Sequence, residues 1–189
     1  CCLNTVLRAQ KPSVFSSRTL ILKTLAVKGI DELKSRVTQN LKDTIELIKW
    51  NESNGIRVLR LSSEMFPHKS NPKAEDYTYD FAKERLLEIG KTARKYNHRL
   101  TFHPGQYNVV GTPSEKTFKK TVLDLEYQAT LLDKMGMGND SVMVVHGGGM
   151  YGDKEATKER WCEQFYKLPQ NVQNRLVLEN CEKCFHIQD

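Results

Sequence analysis

Apolar residues recur along this chain in two alternating rhythms. Leu33, Val37, Leu41, Ile45 and Ile48 step by three and four and mark one face of a helix. Ile56 to Leu61 (IRVLRL) then reads as a buried strand. Ala82, Leu86, Ile89, Ala93 and Tyr96 make a second helix, and Leu100 to Phe102 a short strand. Thr112-Pro113-Ser114-Glu115 has the form of a capping box with Pro at the first helical position. It opens a third helix with the face Phe118, Val122, Leu125, Ala129 and Leu132. Val142 to Val145 is the next strand. Asp153 can cap a fourth helix carrying Trp161, Phe165 and Leu168, and Leu176 to Leu178 is the last clear strand. The residues around Leu3 also read as a strand. With no Met at position 1, the natural protein is expected to begin upstream.

Five strands and four helices in strict alternation imply parallel strands joined by right-handed crossovers. A doubly wound open sheet and a (β/α)8 barrel both satisfy that order. Residues 8 to 29 and 62 to 77 are the longest irregular stretches, longer than ordinary connections, which marks them as functional loops. No low-complexity segment or Gly/Ser linker divides the chain, and its 189 residues suit one domain with a proper core. Hydrophobic residues at 39% and charged residues at 28% fit a folded globular protein. No apolar run approaches the length that crosses a bilayer.

Charge and cysteine content narrow the picture a little. The net charge is +6 and the pI near 9.0, which suits a polyanionic partner such as nucleic acid, although an ordinary basic surface has the same balance. The cysteines are odd in number and sit at the two ends: Cys1, Cys2, Cys162, Cys181 and Cys184. That is no disulfide framework, so a reducing, intracellular compartment is expected. Cys181 and Cys184 form a lone CxxC. A zinc site would need two further ligands, which the adjacent Cys1 and Cys2 are poorly placed to supply, and free thiols are expected.

Polar, chemistry-bearing residues stand directly after the strands. Leu100-Thr101-Phe102 runs into His103, Met143-Val144-Val145 into His146, and Leu176-Val177-Leu178 into Glu179 and Asn180. Leu61 is followed by Ser62, Ser63 and Glu64, and Leu3 by Asn4. Carboxyl ends of parallel strands converge on one face, where α/β proteins build their sites. A single His after a strand is usually an ordinary loop residue, and Glu179 could simply pair with a lysine. Three such residues in identical context point instead to a metal site, whose nitrogen and oxygen donors suit zinc, manganese or iron. Such ions can clamp the attacking and leaving oxygens of a phosphodiester.

Two glycine readings fail on a missing partner. His146-Gly147-Gly148-Gly149 matches the oxyanion loop of lipases, but no GxSxG elbow exists. Gly147 and Gly152 have P-loop spacing, but Asp153-Lys154 follows in place of Lys-Ser/Thr. Backbone squeezed beneath a ligand or a neighbouring loop accounts for these glycines better. His103-Pro104-Gly105-Gln106-Tyr107 is a tight turn with an amide and an aromatic ring at its tip. Such a pair can wedge into a base stack, or simply pack in a loop.

The segments CLNTVLR, RLSSEMFP, RLTFHPGQYNVVG, VMVVHGGGMYGDKEAT and RLVLENCEKC resemble, in order and spacing, the blocks of the UV-damage DNA endonucleases, nearest to their fungal members. The resemblance runs nearly end to end. The HPGQY and HGGG…GDKEAT blocks are specific, whereas LEN is shared with metal-dependent sugar isomerases and endonuclease IV. The resemblance implies an α/β fold of the TIM-type (β/α)8 barrel class. It also implies a cluster of divalent ions, manganese foremost, with zinc or magnesium as alternatives. The implied substrate is double-stranded DNA with UV lesions, nicked immediately 5′ to the photoproduct to leave a 3′ hydroxyl. Carried over by motif, His103, His146 and Glu179 are metal ligands and the catalytic set. Asn4 lines the lesion pocket, and Gln106 and Tyr107 are the probing pair.

Family members continue past ENCEKC into three more barrel units. The expectation is therefore a single, C-terminally truncated domain over 1–189 with about the first five strands, monomeric in its intact form. A fungal-type member is expected in the nucleus and also the mitochondrion. Two other readings stay open: a metal-dependent sugar isomerase or epimerase on the same barrel, and a non-catalytic fragment that binds damaged DNA. The basic balance and the His-Pro-Gly-Gln-Tyr tip speak against the first.

Overall fold

Short runs of aliphatic residues form the strands, and longer amphipathic runs between them form the helices. The computed structural model describes residues 7–74, 76–180 and 183–189. Within them the elements are α1 (Leu22–Ser53), β1 (Val58–Arg60), a 3-10 turn (Asp80–Ala82), α2 (Lys83–Lys95), β2 (Arg99–Thr101), α3 (Glu115–Lys134), β3 (Met143–Val145), α4 (Lys154–Phe165), the one-turn α5 (Gln170–Gln173) and β4 (Leu176–Leu178). The strand expected near Leu3 lies outside the described residues. No described helix is long and apolar enough to cross a membrane.

All described pairings are parallel. β1 pairs with β2, with Leu59 opposite Leu100, and β3 pairs with β4, with Val144 opposite Val177. Phe102, one residue past β2, bridges in parallel to Met143. Its N–H donates to Val142 O (3.0 Å), and its carbonyl accepts from Val144 N (3.0 Å). Strand order thus follows chain order throughout, without the reversal that defines a doubly wound sheet. The helices keep the same order: α1 packs on α2, α2 on α3, and α3 on α5.

The apolar periodicities are realised as burial. Leu33, Val37, Leu41, Ile45 and Ile48 of α1 are all buried, as are Leu86, Ile89 and Ala93 of α2 and Leu125, Ala129 and Leu132 of α3. Phe118 and Val122 are only partly covered, because they border a groove shared with Gln164 and Lys167. Leu59 is buried between exposed Val58 and Arg60, as a pleated strand requires.

Several boundaries differ from the sequence reading: β1 is shorter than Ile56 to Leu61, Ala82 lies in the 3-10 turn, and Leu168 follows α4 instead of lying on it. Residues 22–28, placed there within an irregular stretch, are helical. Gly29 (φ 73°, ψ −179°) breaks the periodicity by kinking α1 into two segments. The α3 cap is Ser114, whose hydroxyl accepts from Thr117 N (3.3 Å), so Thr112 and Pro113 precede the helix. Thr112 Oγ1 instead accepts from Ser114 N (3.2 Å), forming a short turn that delivers the chain to the cap. Asp153 does cap α4, accepting from Ala156 N (3.0 Å).

Below the strands, at their amino ends, two buried polar groups hold the connections. Arg175 is 4% exposed. Its guanidinium donates to Gly138 O, to Ser141 O (3.2 Å), to Met137 O (2.8 Å) and to Asp133 Oδ1 (2.7 Å), fixing the turn that leads into β3. His98, also 4% exposed, lies against Asn51 (Nε2 to Nδ2, 3.3 Å), while its Nδ1 has no partner. Burial holds its pKa below the ordinary 6.5, with Arg57 pushing the same way and Glu52 opposing.

Arg175→Met keeps most of the buried stem but strands three carbonyls. We expect a loss of about 3 kcal/mol in urea denaturation, and a change within about 0.5 kcal/mol would show the network to be dispensable. For His98, a folded-state pKa below the unfolded one means that the unfolded chain binds the proton more tightly. Its stabilising effect is complete above pH 6.5 and is lost as the pH falls below it. Urea midpoints measured from pH 8 to pH 5 should therefore fall less steeply in His98→Gln than in the parent protein. Identical slopes would remove His98 from the acid sensitivity.

Candidate functional site

The strand register fixes what gathers at the carboxyl ends. Because Phe102 pairs with Met143, His103 leaves the sheet beside Val144 and Val145. Glu179 N donates to Val145 O (2.8 Å), so Glu179 continues β4 alongside His146. His103, His146 and Glu179 consequently each present one donor atom within 4.8 Å of the others, and all three are partly buried. His146 Nδ1 lies 2.7 Å and His103 Nε2 3.5 Å from the same oxygen, Glu179 Oε2. The two rings meet edge to face, with centroids 4.8 Å apart. His103 Nδ1 faces Pro104 O (3.3 Å). A proton held there leaves Nε2 as a lone pair aimed into the cluster, the arrangement seen where a histidine's second nitrogen orients a ligand.

His103 also borders a large cleft of about 1660 Å³. Ser62, Ser63, Glu64, Gln106, Tyr107 and Asn108 all line it. Gly105 O accepts from Asn108 N (2.9 Å), which closes a four-residue turn with Gln106 and Tyr107 at its centre. Tyr107 is 81% exposed and Gln106 is exposed beside it. Asn4 lies outside the described residues.

The glycine run after His146 is crowded, as a squeezed backbone requires. A Cβ on Gly147 would stand 2.6 Å from Phe185 Cδ2, and one on Gly148 (φ 86°) would stand 2.3 Å from Val109 Cγ1. The loop that carries His146 is therefore pressed against the base of the Gln106–Tyr107 turn.

Several cleft residues have no counterpart in the sequence reading. Tyr151 lines the cleft from the loop after His146, half-exposed and at a positive φ of 49° that is uncommon for a residue with a Cβ. His68, also at positive φ (62°), lines the cleft too, and its Nε2 meets Leu20 O at 2.6 Å, outside the donor cluster. Asp124 and Thr121 of α3 reach the cleft wall from behind. The available signal was polar residues at 121, 124 and 128, three and four apart, immediately beside the apolar face of that helix.

Comparison with known proteins bears on this geometry. The chain is 44% identical over 192 residues to the putative UV-damage endonuclease of Acanthamoeba polyphaga mimivirus, covering 100% of this chain and 58% of that protein. It is 41% identical to the UV-damage endonuclease of Schizosaccharomyces pombe, again over 100% of this chain but 32% of the relative. The crystal structure of SacUVDE superposes with a TM-score of 0.83 at 32% identity, over 92% of this chain and 58% of that one. The chain thus spans less than two thirds of the length of these relatives. The family model described as UV-endonuclease UvdE matches residues 1–189, the whole of the sequence, and the chain belongs to that family.

Proposed function

We propose that this chain forms part of a metal-dependent DNA repair endonuclease that nicks 5′ to UV photoproducts. The observation that carries the reading is the convergence of His103, His146 and Glu179 within 4.8 Å, at the margin of a cleft whose wall bears the exposed Gln106–Tyr107 turn. Two imidazole nitrogens and a carboxylate oxygen suit manganese, zinc or iron, and manganese is the ion we assign. A divalent ion held there supplies a polarised water and neutralises charge on the scissile phosphate. The chain's own residues do the rest. Pro104 O orients His103, and the ladder through Phe102 and Val145 keeps the three donors level. The net charge of +6 favours a polyanion through counterion release. Gln106 and Tyr107 enter the stack at the lesion, and Asn4 is assigned to the lesion pocket by motif alone.

The sequential winding β1-β2-β3-β4 fits an arc of a TIM-type (β/α)8 barrel. Val58, Val177 and Leu178 stay half-exposed on that arc. We assign it as a fungal-type protein acting in the nucleus and also the mitochondrion; relatives from S. pombe and Neurospora crassa align over the full chain, as does the mimiviral one. A sugar isomerase would share the donor set but has no use for an exposed probing turn.

Manganese binding followed by calorimetry, together with nicking of UV-irradiated plasmid by the longer protein of which this chain forms part, tests the reading. His103→Ala, His146→Ala and Glu179→Gln should each weaken manganese binding by at least about tenfold and bring nicking to background. Affinity for damaged duplex should persist. Manganese affinity unchanged with two of the three replaced would refute the ligand assignment, and equal affinity for irradiated and intact DNA would refute the substrate.

A further inference from the structure

A wedge of two side chains is useful only if it is held ready. Ordering a loop residue costs backbone entropy, and any ordering deferred to the moment of binding is subtracted from affinity for the lesion. The Gly105–Asn108 turn belongs to no strand or helix, so its order has to come from outside it. Asp124, on α3, is placed to supply it. Its Oδ2 accepts from Asn108 Nδ2 (2.6 Å) and from Gln128 Nε2 (3.2 Å), and its Oδ1 accepts from Ser70 Oγ (2.9 Å). One turn earlier, Thr121 Oγ1 accepts from Val109 N (3.2 Å). Asn108 and Val109, the two residues directly after Tyr107, are thus each hooked to the same helix. Gly148 closes on Val109 as well.

The choice of side chain is informative. Asp124 is half-buried at the cleft wall, and among the described residues no lysine or arginine forms an ion pair with it. A bare negative charge beside a polyanion's path opposes binding. A carboxylate, however, is acceptor-only and can receive three donors at once, through bonds stronger than neutral ones. An asparagine of the same shape could still keep its oxygen on Asn108 and Gln128 and turn its amide N–H₂ to Ser70 Oγ, a hydroxyl that also accepts, so only a side chain without an acceptor removes the hooks.

We propose that Asp124 is a positioning residue. It presets the Gln106–Tyr107 turn for insertion and, through Ser70, ties that turn to the loop after β1. This rests on the reading of the turn as the damage probe.

The test is a cycle of Asp124→Ala, Tyr107→Ala and the double variant. Affinities are measured for a duplex with one thymine dimer and for the same duplex intact. Asp124→Ala should lower the damaged-to-intact affinity ratio by about five- to tenfold while leaving intact-duplex affinity level or slightly tighter. In the Tyr107→Ala background the same change should alter the ratio by less than about twofold, since nothing is left to position. A loss of equal size in both backgrounds would overturn the proposal, and so would an unaltered ratio in the parent. If Tyr107→Ala alone leaves the ratio intact, the probe reading fails and the proposal with it. Asn108→Ala removes the same bond from the exposed side and should reproduce the Asp124→Ala ratio. Amide hydrogen exchange gives a reading independent of DNA: Asp124→Ala should speed exchange across residues 105–110 and spare β2, and unchanged protection there would also overturn the proposal.

Discussion

A single backbone bridge, Phe102 to Met143, decides where everything else in this protein stands. Without it the described strands would be two separate pairs. With it, one parallel ladder runs from Leu61, whose N–H reaches Thr101 O, to Glu179, whose N–H reaches Val145 O. Parallel register is unforgiving, because a slip of one residue turns every side chain to the opposite face. The donor cluster depends on that register twice. His103 and His146 must leave adjacent strands at one level, and Glu179 must arrive beside them. No contact among the three side chains could impose this, since two imidazoles and a carboxylate at a half-exposed surface are worth too little to order strands.

Above the ladder, long loops are held by single polar side chains reaching up from the helices. Asn40 of α1 accepts from Arg18 N and donates to Arg18 O and Met65 O, and Asp43 takes Phe15 N and the Arg18 guanidinium. Tyr127 of α3 accepts from Phe66 N and donates to Ser63 O. Burial raises its pKa, so it stays a hydroxyl and keeps both roles. Each hook satisfies loop backbone or side-chain groups that would otherwise lie unpaired against the core, where an orphaned polar group costs about 1–3 kcal/mol. The cleft is therefore walled by irregular chain that is ordered without being regular.

Much of this was legible in the sequence, and the reason is local. Apolar runs at 100–102, 143–145 and 176–178 end abruptly in His103, His146 and Glu179, so strand and site announce each other within a few residues. The faces of α1 and α2 follow from spacing alone. The failures have equally local causes. Gly29 interrupts the pattern that would have extended α1 back to Leu22. Pro113 imitates a first helical residue while Ser114 does the capping. The hooks were invisible for a different reason, since Asp124 meets Ser70 from 54 positions away and Asn40 meets Met65 from 25. A polar residue on a helix looks the same in sequence whether it faces water or a loop.

The contact between Gly148 and Val109 has a consequence for how such a protein can vary. Neither residue performs chemistry, yet the space between them belongs to both loops. A Cβ at 148 has no room while a branched side chain stands at 109, and smaller residues at 109 would leave a gap beneath the turn. Gly147 stands in the same relation to Phe185. The loops after β2 and β3 thus limit each other's side chains. A chimaera that takes one from a relative without the other would join mismatched halves, and descent should carry the two together.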